Sequence, residues 1–263
     1  MTVRDYIKER LSYEEYSFSW DELKINVKKT DIALKRELSR LVIKREIVNL
    51  RKGFYLIIPP KYSNQDYLPI QLYAEKLFKY LNKKYYLGFY TAAKFHGAGH
   101  QQIQKDYIIS IPPAILDIKK KSIDLNFYTM TVWPEKNILT KKSDAGIFKI
   151  SSPVLTAVDL IHNQSKLGGL NRIFTVIEEL IEEITLTDMQ DLLSWYPNVS
   201  TLQRFGYLLE RLEADNKLIK KLFEHINSSR FFPVLLCPER GRKAGSVDNR
   251  WKVDINIKLE NDL

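Results

Sequence analysis

The stretch SWDELKINVKKTDIALKRELSRLVIKREIVNLRKGFYLII, Ser19 to Ile58, decides the fold. Ser19 followed three positions later by Glu22 is a capping box, and Leu23 and Val27 supply the apolar contacts of a short first helix. After the polar step Lys28-Lys29-Thr30, with Thr30 and Asp31 as the start signal, the run to Val42 places Leu34, Leu38 and Leu41 on one stripe at helical spacing. Lys35, Arg36, Ser39 and Arg40 then face outward. The β-rich runs Ile47–Leu50 and Phe54–Ile58 flank Arg51-Lys52-Gly53, which predicts a hairpin with a basic tip, and Pro59-Pro60 ends it. Two helices and a hairpin in this order predict a winged helix-turn-helix. Its second helix suits a DNA major groove, where guanidinium groups read guanine edges and ammonium groups hold phosphates.

The charge follows the motif. Residues 28–52 hold nine Lys or Arg and three Asp or Glu, a local +6 against +9 for the 263 residues. A pI near 9.3 favours a polyanionic partner without specifying a fold. With 44% apolar residues a chain of this length supports more than one core, and the helix-hairpin segment uses under a quarter of it. Cys237 stands alone in an apolar run, which excludes a disulfide framework and a clustered thiolate site and predicts a buried structural thiol. Charges at Arg4, Asp5, Lys8, Glu9 and Arg10 break up the N-terminal apolar residues, so neither a signal peptide nor a membrane helix is expected, and a cytoplasmic location follows as an expectation.

Beyond the hairpin the pattern predicts an α+β architecture. A helix is expected over Tyr67–Lys84 with Leu72, Leu77, Tyr80 and Leu81 inward, then a short helix capped by Thr91 and stopped by Gly97 and Gly99. Runs at 107–111, 123–128, 129–133 and 146–150 predict a mainly antiparallel sheet. Ser152-Pro153 opens a helix, and a long amphipathic stripe from Leu170 to Ile184 carries Glu178, Glu179, Glu182 and Glu183 outside, which reads as a solvated face. Ser200 with Gln203 predicts another capping box, Asp215–Ile226 a last helix, and Phe231–Leu236 and Trp251–Leu259 two strands.

Catalytic constellations are weak. His96 and His100 are four apart, but glycines interrupt them and no Glu follows His96, so a hydrogen-bonded structural histidine is expected rather than a metal ligand. Gly245-Ser246 with Asp254-Ile255-Asn256 has an amide where a nucleotidyltransferase needs its second metal-binding carboxylate. Asp117, Lys119 and Asp124 form too common a string to define a nuclease, and there is no phosphate loop or glycine-flanked nucleophile. No enzyme, cofactor or metal is expected.

The basic helix and hairpin, the string from Tyr85-Tyr86-Leu87-Gly88 to His96-Gly97-Ala98, Ile150-Ser151-Ser152-Pro153 with Thr156-Ala157-Val158-Asp159-Leu160, and Phe205-Gly206-Tyr207-Leu208-Leu209 together resemble the AbiEi family, antitoxins of type IV toxin-antitoxin systems. The resemblance runs over nearly the whole chain. It implies a winged helix-turn-helix followed by an antitoxin domain. The expected function is an autorepressor that binds double-stranded DNA at repeats ahead of its own operon and counteracts a nucleotidyltransferase toxin without a stable complex, in phage defence by abortive infection. The family's recognition helix falls on Lys28–Val42 and its wing on Arg51-Lys52-Gly53. The expected DNA-binding residues are therefore Lys28, Lys29, Thr30, Lys35, Arg36, Ser39, Arg40, Arg51 and Lys52. The expected domains are 1–60, which binds DNA, and 61–263, which is sheet-rich over about 85–150, helical over about 151–227 and ends in strands over about 231–259. A ligand-responsive repressor and a metal-dependent nuclease are the competing readings.

Overall fold

Thr2 and Ser19 each start a helix in the same way. In the computed structural model, which describes residues 1–63, 67–99 and 105–259, Thr2 and Asp5 form a reciprocal capping box at the head of α1 (Val3–Ser12). Ser19 and Glu22 do the same for α2 (Trp20–Asn26). The chain divides into two compact units. The first comprises Met1–Tyr86, Ile103–Thr131 and Thr140–Ile150, and the second Leu87–Gln102, Val132–Leu139 and Ser151–Leu263.

In the first unit, α1 is followed by β1 (Ser17–Ser19), α2, α3 (Asp31–Ile43), β2 (Ile47–Arg51) and β3 (Phe54–Ile57). The three strands form an antiparallel sheet in the order β1-β3-β2, with Phe18 opposite Tyr55 and Val48 opposite Leu56. Three helices against such a sheet have the connectivity of a winged helix. Their shared core contains Tyr6, Phe18, Leu23, Leu34, Leu38 and Ile47, all at most 2% exposed. Burial pushes the Tyr6 phenol up to about 12. Helix α1 and strand β1 lie inside the expected 1–60 segment but are not foreseen as elements by the reading of Ser19 to Ile58, although Thr2-x-x-Asp5 spells the cap.

The same unit continues through α4 (Pro60–Ser63) and α5 (Ala74–Tyr80) into a six-stranded sheet. Its strands are β4 (Tyr85–Leu87), β5 (Asp106–Ser110), β6 (Ile118–Lys120), β7 (Ile123–Thr129), β8 (Ile138–Ser143) and β9 (Gly146–Ser151), in the order β6-β7-β5-β4-β9-β8. The sheet is mixed, since β5 runs parallel to β7 while β6 pairs with β7 antiparallel. The long helix expected over 67–84 shrinks to a 3₁₀ turn at Ile70–Leu72 and the seven residues of α5. Pro69 holds Leu68 out of the helical region, and Tyr80 lies exposed rather than inward. No strand forms at 129–133 beyond Thr129, where β7 ends.

The second unit is mostly helical. It contains α6 (Phe89–Phe95), α7 (Pro153–His162), α8 (Leu170–Leu180), α9 (Leu186–Leu193), α10 (Val199–Arg211), α11 (Asn216–Asn227) and the short parallel pair β10 (Val234–Leu235) and β11 (Val253–Asp254). Ser152 caps α7 and Pro153 occupies its first position; Val154 to Ile161 are buried without a break. Thr91 is not a cap: α6 starts at Phe89, whose φ of 50° turns the chain there, with Gly88 preceding it. Nor does Ser200 cap α10. Asn198 does, its side chain accepting from Thr201 N at 3.0 Å. Gln203 is instead buried and donates to the carbonyls of Phe232 and Trp251. The expected terminal strands contract to two residues each, and Ile255 is 55% exposed rather than half-buried. No helix among the described residues is long and apolar enough to cross a membrane.

Candidate nucleic-acid interface

The helix-turn-helix is locked by short-range bonds. Glu22 accepts from Ser19 N at 2.6 Å, Ser19 Oγ accepts from Glu22 N at 3.1 Å, and Thr30 Oγ1 accepts from Ala33 N at 3.3 Å. Lys24 pairs with Asp31 across the turn at 2.9 Å. The first turn of α3 is therefore capped and its acidic residue neutralised, which lets it approach a polyanion without an unbalanced carboxylate.

With Leu34, Leu38 and Leu41 buried, α3 exposes Lys35, Arg36, Ser39 and Arg40. Among the described residues no ion pair engages Arg36 or Arg40. Lys35 Nζ lies 5.8 Å from the centroid of the Trp20 ring, a cation-π contact that leaves the ammonium at the surface. Lys28 is also exposed. The other residues of the turn are partly occupied: Lys29 is ion-paired with Glu37, and Thr30 is used as the helix cap.

The wing is shorter than the sequence suggested. Arg51 closes strand β2, half-buried, with one guanidinium nitrogen shut off from water and unbonded, so the tip consists of Lys52 and Gly53. Gly53 O accepts from Trp20 N at 2.8 Å, and Tyr80 Oη donates to Lys52 O at 2.9 Å. The tip is thus pinned to the start of α2 and to the end of α5, with the Lys52 side chain exposed. Helix α5 also packs on the hairpin through Phe54 and Tyr80, whose ring centroids are 5.2 Å apart. The sequence carries no signal for Tyr80 as a wing support, because its partners Phe54 and Lys52 lie 26 and 28 positions away.

Elsewhere the candidate chemistry resolves into structural bonds. His96 Nε2 lies 2.8 Å from Ser151 O, and Ser151 Oγ lies 2.6 Å from Thr156 Oγ1, so these polar members of the quoted strings form one hydrogen-bonded chain in the second unit. His100 lies outside the described residues. Asp117 accepts from Phe127 N, and Lys119 reaches Asp124 at 3.8 Å. Asn256 accepts from Cys237 N and donates to Cys237 O, so an amide is what that position needs. Cys237 is buried. Among the described residues no group of three His, Cys, Asp or Glu could hold a metal ion. His162 lies 3.2 Å from Thr201 Oγ1; partial burial of its ring, then Arg204 and Lys166, lowers its pKa, which favours the neutral ring.

Fold and surface together define an α+β protein that carries a winged-helix unit with a basic exposed helix. Residues 86–211 match the family of the AbiEi antitoxin C-terminal domain, which supports an antitoxin of the AbiEi type; that family is regulatory and non-enzymatic. The matched segment starts after the winged helix. Among solved structures, the crystal structure of the RV2827C protein from Mycobacterium tuberculosis is similar in fold, with a TM-score of 0.64 at 14% identity over 94% of this chain and 89% of that one. A search of curated proteins finds no match.

Proposed function

We propose that this antitoxin binds DNA through α3 and its wing, represses its own operon, and counteracts a nucleotidyltransferase toxin encoded beside it, as type IV systems do, without a stable complex between the two. The observation that carries the DNA half is the exposed face of α3, where Arg36 and Arg40, one turn apart, stand without an ion pair beside Ser39 and opposite a buried leucine stripe. Unpaired guanidinium groups on a capped helix are ready to make bidentate contacts to guanine, and no internal bond must break first. Lys28, Lys35 and Lys52, all exposed, serve as phosphate contacts. Lys29 and Arg51 take a lesser part, since one is paired and the other half-buried. The division of labour at about residue 60 belongs to this proposal: DNA binding before it, antitoxicity after it.

The test is a mobility shift on the DNA upstream of the chain's own gene. Arg36→Ala and Arg40→Ala should each weaken specific binding by about 1 to 3 kcal/mol and relax specificity at one base pair. Wild-type affinity in both variants would place the reading face elsewhere. Co-expression with the neighbouring toxin tests the second half: rescue of growth by the wild type should persist in the Arg36→Ala variant when expression is driven from an unrelated promoter.

A further inference from the structure

The N-terminal turn of the recognition face contains one residue that charge does not explain. Ile32, the second residue of α3, is 66% exposed. At about 100° per residue it lies within roughly 40° of Arg36 and 20° of Ser39 around the helix axis, and on the opposite side from Leu34, Leu38 and Leu41. It is not part of the core and has no route into it. A β-branched side chain in water gains nothing in helix propensity over the Lys, Gln or Glu that would serve there. Its neighbours in the first turn are already committed, Thr30 to the cap and Asp31 to Lys24, so the group that projects from the head of the helix is a branched hydrocarbon. It is flanked by Lys35 and Arg36, a setting that suits a polyanion better than an apolar protein surface.

The N-terminal residues of a recognition helix are the ones that meet base edges, and the major groove offers one apolar group, the 5-methyl of thymine. We propose that Ile32 packs on a thymine methyl and so makes an A·T pair beside the Arg36 contact part of the recognised sequence. This rests on the DNA-binding reading above. Ile43, exposed on the same stripe but about 16 Å further along the axis, serves as a built-in control, since it lies at the end of the helix away from the base-reading turn.

The experiment selects duplexes from a random pool with the full chain, then replaces each thymine of the enriched duplex in turn by deoxyuridine, which lacks only the methyl. Wild type should bind about fourfold more weakly at one or two positions, the loss expected for about one buried methyl group. Ile32→Ala should bind the thymine duplex as weakly as wild type binds the deoxyuridine duplex, and should be indifferent to the replacement. Ile43→Ala should behave as wild type. Failure to enrich any duplex would remove the DNA-binding reading itself. Enrichment with no sensitivity to deoxyuridine, or an Ile32→Ala variant that keeps the sensitivity, would overturn the assignment of Ile32 while leaving DNA binding standing. A change in oligomeric state on Ile32→Ala with unchanged DNA affinity would give the isoleucine to a protein interface instead.

Discussion

Gly206 sits in the middle of α10, where alanine would ordinarily favour the helix by up to about 1 kcal/mol. Here a Cβ would drive into the six-membered ring of Trp251, at Cζ3, Cε3 and Cη2. That ring cannot move away cheaply: Trp251 is fully buried, its Nε1 donates to Glu210 at 2.6 Å, and Phe223 meets it edge-on at 5.4 Å. Gly206→Ala should therefore destabilise the second unit by at least the roughly 1 to 3 kcal/mol typical of overpacking, read as a lower midpoint in denaturant with an unchanged slope. A midpoint equal to wild type would mean that the tryptophan repacks freely. Asn256 makes the same point for polar atoms. Its amide both donates to and accepts from the backbone of Cys237, so the residue that spoils a metal-site pattern in the sequence is the one the loop requires.

At the level of elements, the wing is a tethered tip and not a free flap. Gly53 has φ of +75°, and a Cβ there would lie 2.6 Å from Tyr80 Oη. Gly53→Ala combines left-handed strain of about 1 kcal/mol with the loss of the Tyr80 bond to Lys52 O, so it should lower thermal stability and weaken DNA binding together. Tyr80→Phe keeps the ring against Phe54 and removes only a hydrogen bond worth about 1 kcal/mol. It should lower stability slightly and leave the salt dependence of DNA binding unchanged, because Lys52 stays exposed. Melting curves paired with binding isotherms across a salt series separate the two. Equal behaviour of the two variants would show that the tether, not the backbone conformation, sets the wing.

For the molecule as a whole, the winged helix has a core of its own but is tied to the remainder of the first unit. Lys76 pairs with Glu15 at 2.8 Å, Tyr80 holds the wing tip, and Lys120 bonds to Asn49 O on the hairpin's edge strand. A chain lacking residues 1–60 loses Glu15, Lys52 and Phe54, the partners of Lys76 and Tyr80 on one side of α5. Such a fragment should melt at a lower temperature than the full chain, even if residues 86–211 retain antitoxin activity. An unchanged melting temperature would mean that those cross-links contribute little.

Much of this was written locally. Caps at Ser19, Thr30 and Ser152, the leucine stripe of α3, the hairpin at Gly53 and the buried lone thiol all depend on residues a few positions apart or on composition, and such interactions are present in the linear order of the chain. Ser200 failed as a cap because Asn198, two residues earlier, competed for the same role and Gln203 was wanted in the interior. Of the candidate DNA face, Lys35, Arg36, Ser39 and Arg40 could be read from helical spacing, whereas the diversion of Lys29 to Glu37, the half-burial of Arg51 and the support from Tyr80 could not. Likewise, β1 joining the hairpin and β5 lying parallel to β7 are choices among distant partners. Strand pairing and ion pairing are settled by whichever groups folding brings within a few ångströms, and spacing along the chain carries no record of that competition.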